Sequence, residues 1–250
     1  MSASAPSVRR SPASSARNVL PVREEVPDFA DLGVLAFTTT RAAGDFAWQS
    51  AEPAQAVFAR WESLRLGLAE LGVGRLATAQ QVHGARVLVH DGNWDGWLRT
   101  PGADGHFSPG RSTAMAVTIA DCVPVFIAHP GGAAALLHSG WRGTAARIVD
   151  RGIALFQEHG MLAPDLRIHL GPAICGRCYE VSPEVIHALT GNTAERNAPV
   201  DLRAIIATHA RDRGVTRITQ SPLCTRCDND RFFSHRAGDA GRQLAILTAV

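Results

Sequence analysis

Residues 114–143 read AMAVTIADCVPVFIAHPGGAAALLHSGWRG. Three runs in this stretch, AMAVTIAD, VPVFIAHP and AAALLHSG, are apolar almost without alternation. A strand with one wet face alternates apolar and polar residues, so continuous runs predict strands in sheets covered on both faces. Pro130, Gly131 and Gly132 punctuate them as a turn. Asp121 and Cys122 stand at one junction between runs, and His138 stands at the end of the last, just before Gly140. Strand ends bounded by Gly and Pro gather on the rim of a sheet, where sites are commonly built.

Upstream, LGVLAFTTTR reads as a strand ending at Arg41. AQAVFARWESLRLGLAELGV then places Val57, Phe58, Trp61, Leu64, Leu68 and Leu71 at helical spacing. LATAQQVHGARVLVH is two strand-like runs broken at Gly84, which predicts a hairpin or bulge carrying His83. GNWDGWLRTPGADGHFSPG reads as one long loop, and loops of that length are usually functional or mobile. Downstream, TAARIVDRGIALFQEHG predicts a helix capped by Thr144 with Ile148, Val149, Ile153 and Phe156 facing the sheet. LRIHLGP is a further strand. SPEVIHALTG starts a helix with Ser182 at the cap and Pro183 at the first turn. A helix from Asp201 to Gly214, the strand VTRIT and the apolar run QLAILTAV complete the chain. The reading is a disordered tail over residues 1–28 and one mixed α/β (α+β) domain over 29–250.

Composition narrows the function. The 250 residues are 46% apolar and 19% charged, enough for a real core, and the net charge of +2 comes without a basic stripe. Nucleic acid is therefore not an expected partner. No stretch approaches the about 18 uninterrupted apolar residues of a membrane span. The start, MSASAPSVRRSPASSARN, has no apolar core of a secretion signal, so a cytoplasmic protein is expected, monomeric or homodimeric. All 25 basic residues are arginine. Schiff-base and P-loop lysine chemistry are thereby excluded, and anion binding falls to Arg forks or backbone N–H groups.

Cys122 and His138 together suggest a metal centre, whereas either alone would read as a core or hydrogen-bonded residue. A third donor is expected from His83, His90 or His106, which spacing alone does not rank. One thiolate and two imidazoles suit Zn²⁺, with a fourth position open for water that ionises near neutrality. Asp121 would orient a ligand or move a proton. A rival reading makes Cys122 a nucleophile and His138 its base, but an aspartate beside the thiol would raise its pKa. Copper oxidase chemistry gains little, since no His-X-His pair is present to cluster several coppers. CGRC at 175–178 and CTRC at 224–227 make a CxxC…CxxC pattern, but the gap of about 45 residues holds two well-marked helices. A zinc ribbon spans about 15–20. These four cysteines are accordingly read first as pocket-lining or core thiols, with a Cys₄ metal site as the alternative.

The motifs QVHG, ADCVPV, HSGWRG, GPAICGRCYEV, CTRC and FFSHR…GR occur in this order across residues 32–245. Together they resemble the YfiH-like family, whose members carry the labels laccase-domain, polyphenol oxidase and purine nucleoside phosphorylase/adenosine deaminase. The resemblance implies a four-layer α/β/β/α sandwich, the fold also seen in cytotoxic-necrotizing-factor toxins. It implies zinc ligands at His83, Cys122 and His138, with copper as the other candidate ion. It implies deamination of adenosine to inosine and phosphorolysis of adenosine, inosine and methylthioadenosine, so purine nucleosides and phosphate are the expected partners. In a chain without lysine the phosphate clamp would be arginine: Arg41 first, then Arg142 and Arg236, with Asp121, Arg41 and Arg142 as the catalytic set. Some relatives are instead described as peptidoglycan editing factors, and a zinc-stabilised interaction domain is the non-catalytic alternative. Two departures stand out. AAGDFAWQS follows Arg41 where the family has a Gly-Gly-Val-Ser-type loop, and Ala237 and Gly238 follow Arg236 where the family tends to have a second Arg and an acid.

Overall fold

The structure, a computed structural model, describes residues 20–250. Its first strands are β1 (Arg23–Glu25), β2 (Val34–Thr39), β3 (Arg75–Ala79), β4 (Val87–Val89), β5 (Gly96–Thr100), β6 (Gly105–Ser108) and β7 (Thr113–Ile119). There follow β8 (Val123–Ala128), β9 (Ala134–Ser139), β10 (Arg167–Leu170), β11 (Glu180–Val181), β12 (Ala198–Pro199), β13 (Arg217–Gln220) and β14 (Gln243–Ala249). The helices are α1 (Ala54–Ala69), α2 (Trp141–Ala145), α3 (Ile148–Glu158), α4 (Pro183–Thr190) and α5 (Leu202–Asp212).

Two mixed six-stranded sheets stack face to face. The first runs β1-β2-β14-β7-β3-β5 and the second β13-β10-β8-β9-β6-β4, with β11 and β12 as a separate small ribbon. Burial on both faces explains the unbroken apolar runs. On β8, Val125 and Ile127 face the helices of the second sheet while Phe126 and Ala128 face the other sheet. On β14, Ala245 and Leu247 enter the inter-sheet layer, and Leu244 and Ile246 meet α1. α1 buries Val57, Trp61, Leu64 and Leu68 on the outside of the first sheet, and α3 and α5 bury Ile153, Phe156 and Ile206 on the outside of the second. The order is helix, sheet, sheet, helix. The expected mixed α/β class and four layers are found.

Several local expectations change. Gly84 does not centre a hairpin, because β3 and β4 lie in different sheets and the segment between them is a crossing. The predicted long loop holds β5 and β6. Thr144 lies inside the short α2, and α3 begins only at Ile148, after Arg147 takes a left-handed conformation at φ +55°. Phe58, on the predicted apolar face of α1, is 56% exposed. The expected tail is partly ordered: β1 pairs antiparallel with β2, and Leu20 is buried in the α1 layer. The rest of that expectation, residues 1–19, lies outside the described residues. Among the described residues, no helix is long and apolar enough to cross a membrane.

Candidate metal centre

The chain passes repeatedly from one sheet to the other: residues 80–86 between β3 and β4, 101–104 between β5 and β6, 120–122 between β7 and β8, and 221–242 between β13 and β14. The candidate centre is made where these crossings meet. His83 comes from the first, Cys122 from the third, and His138 from the end of β9. One donor atom of each lies within 4.8 Å of the other two. His83 is exposed, Cys122 half-buried and His138 buried, so the group opens to the surface on its His83 side.

The backbone is bent to permit this. His83 has φ +59° and Asp121 φ +83°, a region that residues with a Cβ seldom occupy and that clusters at functional turns. Gly140 closes the wall: a Cβ there would stand 2.8 Å from Cys122 Sγ and 3.2 Å from His83 Cδ2. Only a residue without a side chain lets the β9 end approach both donors. Gln81 fixes the same crossing to β7, donating from Nε2 to the Thr118 carbonyl while its Oε1 accepts the Thr118 N–H, both at 2.8 Å.

Asp104, at the end of the second crossing, holds the donors in place. Its carboxylate accepts the backbone N–H groups of Val82 (3.1 Å), His83 (2.8 Å) and Gly84 (2.7 Å), and lies 2.9 Å from His138 Nδ1. Burial works to raise this carboxyl, but the His138 hydrogen bond and the backbone donors hold it below the usual range. With Nδ1 held by Asp104, His138 turns its Nε2 toward Cys122. Burial likewise works to raise the Cys122 thiol, yet the His138 charge and hydrogen bonds from both imidazoles bring it down to about 6. The converse holds at His138: burial opposes its charge, but the Cys122 thiolate and Asp104 push it up to about 9. The field that keeps a proton on His138 equally favours a divalent cation beside the sulfur. Two imidazoles and one thiolate are a zinc-type donor set, and these residues fit such an ion.

The other histidines weighed for this role face each other instead. His90 Nε2 lies 2.9 Å from His106 Nδ1, and burial pushes His90 down to about 4 and His106 to about 3. Asp121 adjoins Cys122, but its carboxylate is engaged by other groups. It accepts Thr225 Oγ1–H at 2.6 Å and the Arg236 N–H at 2.7 Å, while its carbonyl accepts the Ile174 N–H. Asp121 is thus a positioning residue. An aspartate beside the thiol was expected to raise it, but the two imidazoles prevail and the thiol lies low.

The three arginines separate. Arg41 is absorbed by the scaffold: Nε donates to the Asn229 carbonyl, Nη2 to the Phe232 carbonyl and to Asp239 (2.7 Å), and the guanidinium covers Phe233. The structure therefore does not support it as first choice for a phosphate clamp. Arg142, two residues beyond Gly140, is exposed and stacks on Trp141 at 4.3 Å. Arg236 stacks on Tyr179 at 5.0 Å and donates to the Glu180 carbonyl. Tyr179 is pushed up to about 12 by burial and by the Cys122 thiolate, against Arg236 and Arg142, so it is a neutral phenol beside the centre.

Asp104, Gln81, Thr225 and Tyr179 were not legible as site residues. Asp104 lies within the Gly/Pro/Asp stretch whose length had marked it as functional, but nothing in the stretch singles out this aspartate. The four remaining cysteines come together: the sulfurs of Cys175, Cys178, Cys224 and Cys227 all lie within 4.8 Å of one another, the arrangement that the alternative reading of the two CxxC pairs had named.

Comparison with known proteins gives the chain its family. The family model described as multi-copper polyphenol oxidoreductase laccase matches residues 40–249. A purine nucleoside phosphorylase of Streptomyces coelicolor is 36% identical over 187 residues, covering 71% of this chain and 77% of that protein. The purine nucleoside phosphorylase YlmD of Geobacillus stearothermophilus is 34% identical over 196 residues (69% and 72% covered), and its crystal structure superposes with a TM-score of 0.79 over 90% of this chain and 94% of that one. The adenosine deaminase RL5, from an unknown prokaryotic organism, is 32% identical over 195 residues, covering 69% and 74%. With this fold, these crossings and these relatives, the chain belongs to the YfiH-like, laccase-domain family, whose named members include purine nucleoside phosphorylases and an adenosine deaminase.

Proposed function

We propose that the protein is a zinc-dependent purine nucleoside enzyme, deaminating adenosine to inosine and cleaving adenosine, inosine and methylthioadenosine with phosphate. The observation that carries this reading is the convergence of His83, Cys122 and His138 within 4.8 Å, at an opening to the surface. A divalent ion held there supplies Lewis acidity and lowers the pKa of water. The chain's own part is preorganisation. Asp104 fixes the His138 tautomer and the His83 backbone together, Asp121 anchors the peptide that carries Cys122, and Gly140 keeps the wall thin. Arg142, exposed near the centre and paired with no carboxylate among the described residues, is the best phosphate ligand, with Arg236 beside it.

Two other readings rest on particular observations. A thiol at about 6 beside a His138–Asp104 pair is also what a nucleophilic cysteine needs, with His83 as a second hydrogen-bond donor to the sulfur. Two histidines and a cysteine also suit copper. Polyphenol oxidation by several coppers would need further imidazole-rich groups, and among the described residues the only other donor group is all thiol.

Purified protein incubated with adenosine should yield inosine without phosphate, and adenine with ribose-1-phosphate when phosphate is added, as followed by chromatography. No turnover of either kind, with serine released from a muropeptide precursor, would move the protein to peptidoglycan editing. Cys122→Ala and His138→Ala should each lower bound zinc and turnover together. Full zinc with no turnover in Cys122→Ala would establish the nucleophile instead. Asp104→Asn should weaken metal affinity about 10–100-fold, the usual worth of such an outer partner. Competition with a chromophoric chelator measures it, and an unchanged affinity would remove Asp104 from the account. Arg142→Ala should raise the KM for phosphate about tenfold, the scale of one charge-assisted hydrogen bond. Arg41→Ala should lower the denaturation midpoint and leave that KM within twofold (about 0.4 kcal/mol). The opposite assignment would return the clamp to Arg41.

A further inference from the structure

The two CxxC turns lie far apart in sequence and side by side in space. Ala173 bridges to Cys224 in parallel, and the Thr225 N–H donates to the Ala173 carbonyl, which brings the two turns together. The first turn closes through the Cys178 N–H to the Cys175 carbonyl. In the second, the Cys227 N–H points at Cys224 Sγ (3.4 Å), as does the Cys175 N–H from the first turn (3.2 Å). Two backbone donors, one from each turn, thus converge on a single sulfur. All four are free thiols, with Cys178 Sγ and Cys227 Sγ 3.5 Å apart and every sulfur within 4.8 Å of the others. A tetrahedron with metal–sulfur bonds of about 2.3 Å has edges of about 3.8 Å. Four mutually adjacent sulfurs are therefore already close to the shape of a tetrathiolate site. No histidine or carboxylate belongs to the group and no vertex is left over, which marks a structural site and not a catalytic one.

We propose that Cys175, Cys178, Cys224 and Cys227 hold one zinc ion through four thiolates, clamping the two turns that form the outer wall of the His83–Cys122–His138 centre. The clamp acts at short range on that centre. Thr225, inside the second turn, donates to Asp121, and Ile174, just before the first turn, donates to the Asp121 carbonyl. Tyr179 follows Cys178 directly and lies under Arg236. A zinc ion across the turns ties all three to the peptide preceding Cys122. Binding exchanges thiol protons for the metal and is electron-neutral: each thiol that is still protonated releases H⁺ to solvent and the sulfur pair bonds to Zn²⁺.

Metal analysis of the whole protein tests this apart from the first centre. The His83→Ala/His138→Ala variant should retain one zinc per chain, and Cys178→Ser/Cys227→Ser should carry one fewer than the parent. If the parent holds one zinc that only the cysteine variant loses, the second site stands and the first reading falls. Zinc content indifferent to Cys178→Ser/Cys227→Ser overturns the proposal. Should that variant fold poorly, the unmodified protein decides by iodoacetamide labelling with peptide mapping. Cys227 is exposed, so protection of Cys178 and Cys227 that is relieved at least tenfold by a strong chelator is the expected result. Equal labelling with and without chelator, or an as-purified disulfide among these four residues, would rule the zinc out.

Discussion

Everything at the centre depends on one buried carboxylate. Asp104 is fully enclosed, and an ionised carboxylate in that position is tolerable only if its oxygens are saturated by donors. Three consecutive backbone N–H groups from the first crossing and one imidazole from β9 do this. The consequence is geometric as much as electrostatic. The first crossing cannot shift without stripping donors from a buried charge, and His138 cannot rotate without doing the same. The backbone of one metal-donor candidate and the ring of another are thus tied to a single atom group. Gly143 adds a steric constraint, since a Cβ there would stand 2.9 Å from the Gly84 carbonyl oxygen. Helix α2, the β9 end and the crossing form one rigid corner.

How far the sequence carried is best seen in β8 and in the crossings. Continuous apolarity in VPVFIAHP identified a strand buried on both faces, and Val125 and Phe126 do face different layers. Periodicity reports how many faces a strand buries, but it is silent on which sheet the next strand joins. Hence β3 and β4 looked like a hairpin, although the chain passes between sheets at His83. A hairpin and a crossing share the same local signal, a glycine between two apolar runs. Thr144 failed as a cap for a related reason: the chain breaks after it, with Arg147 in the left-handed region, and Gly143 packs against residue 84, a tertiary fact. The choice of His83 over His90 and His106 came only with the family resemblance. Physically, the latter two are partnered with each other across β4 and β6, a pairing of neighbouring strands that no spacing rule exposes.

The cysteines show the opposite lesson. Loop-closure entropy rises only slowly with length, so a gap of about 45 residues is no obstacle once α4 and α5 are packed on the sheet. The rule relating CxxC pairs by a short spacing describes small domains, in which the metal must organise the chain. Here β10 and β13 run parallel as neighbours, and each is followed by one of the two turns. The sheet brings the thiols together, and the chain between them can be as long as its helices require.

The absence of lysine makes the placement of arginine informative. Arg41 lies in a segment that resembles the family's, yet it meets Asp239 and two carbonyls and shields Phe233, which joins the end of β2 to the crossing before β14. Arg142 and Arg236 likewise lie over aromatic rings, Trp141 and Tyr179, but neither meets a carboxylate among the described residues. A guanidinium over a ring is held in position; Arg236 spends one of its donors on the Glu180 carbonyl. The departure after Arg41 has a physical sense of its own. Where AAGDFAWQS replaces the family's loop, Asp45 accepts the Ala47 and Arg242 N–H groups and Trp48 stacks on Trp61. That segment is built into the packing around α1. Tyr179, with Arg236 over its ring and Arg142 nearby, lies instead on the Cys122 side of the molecule.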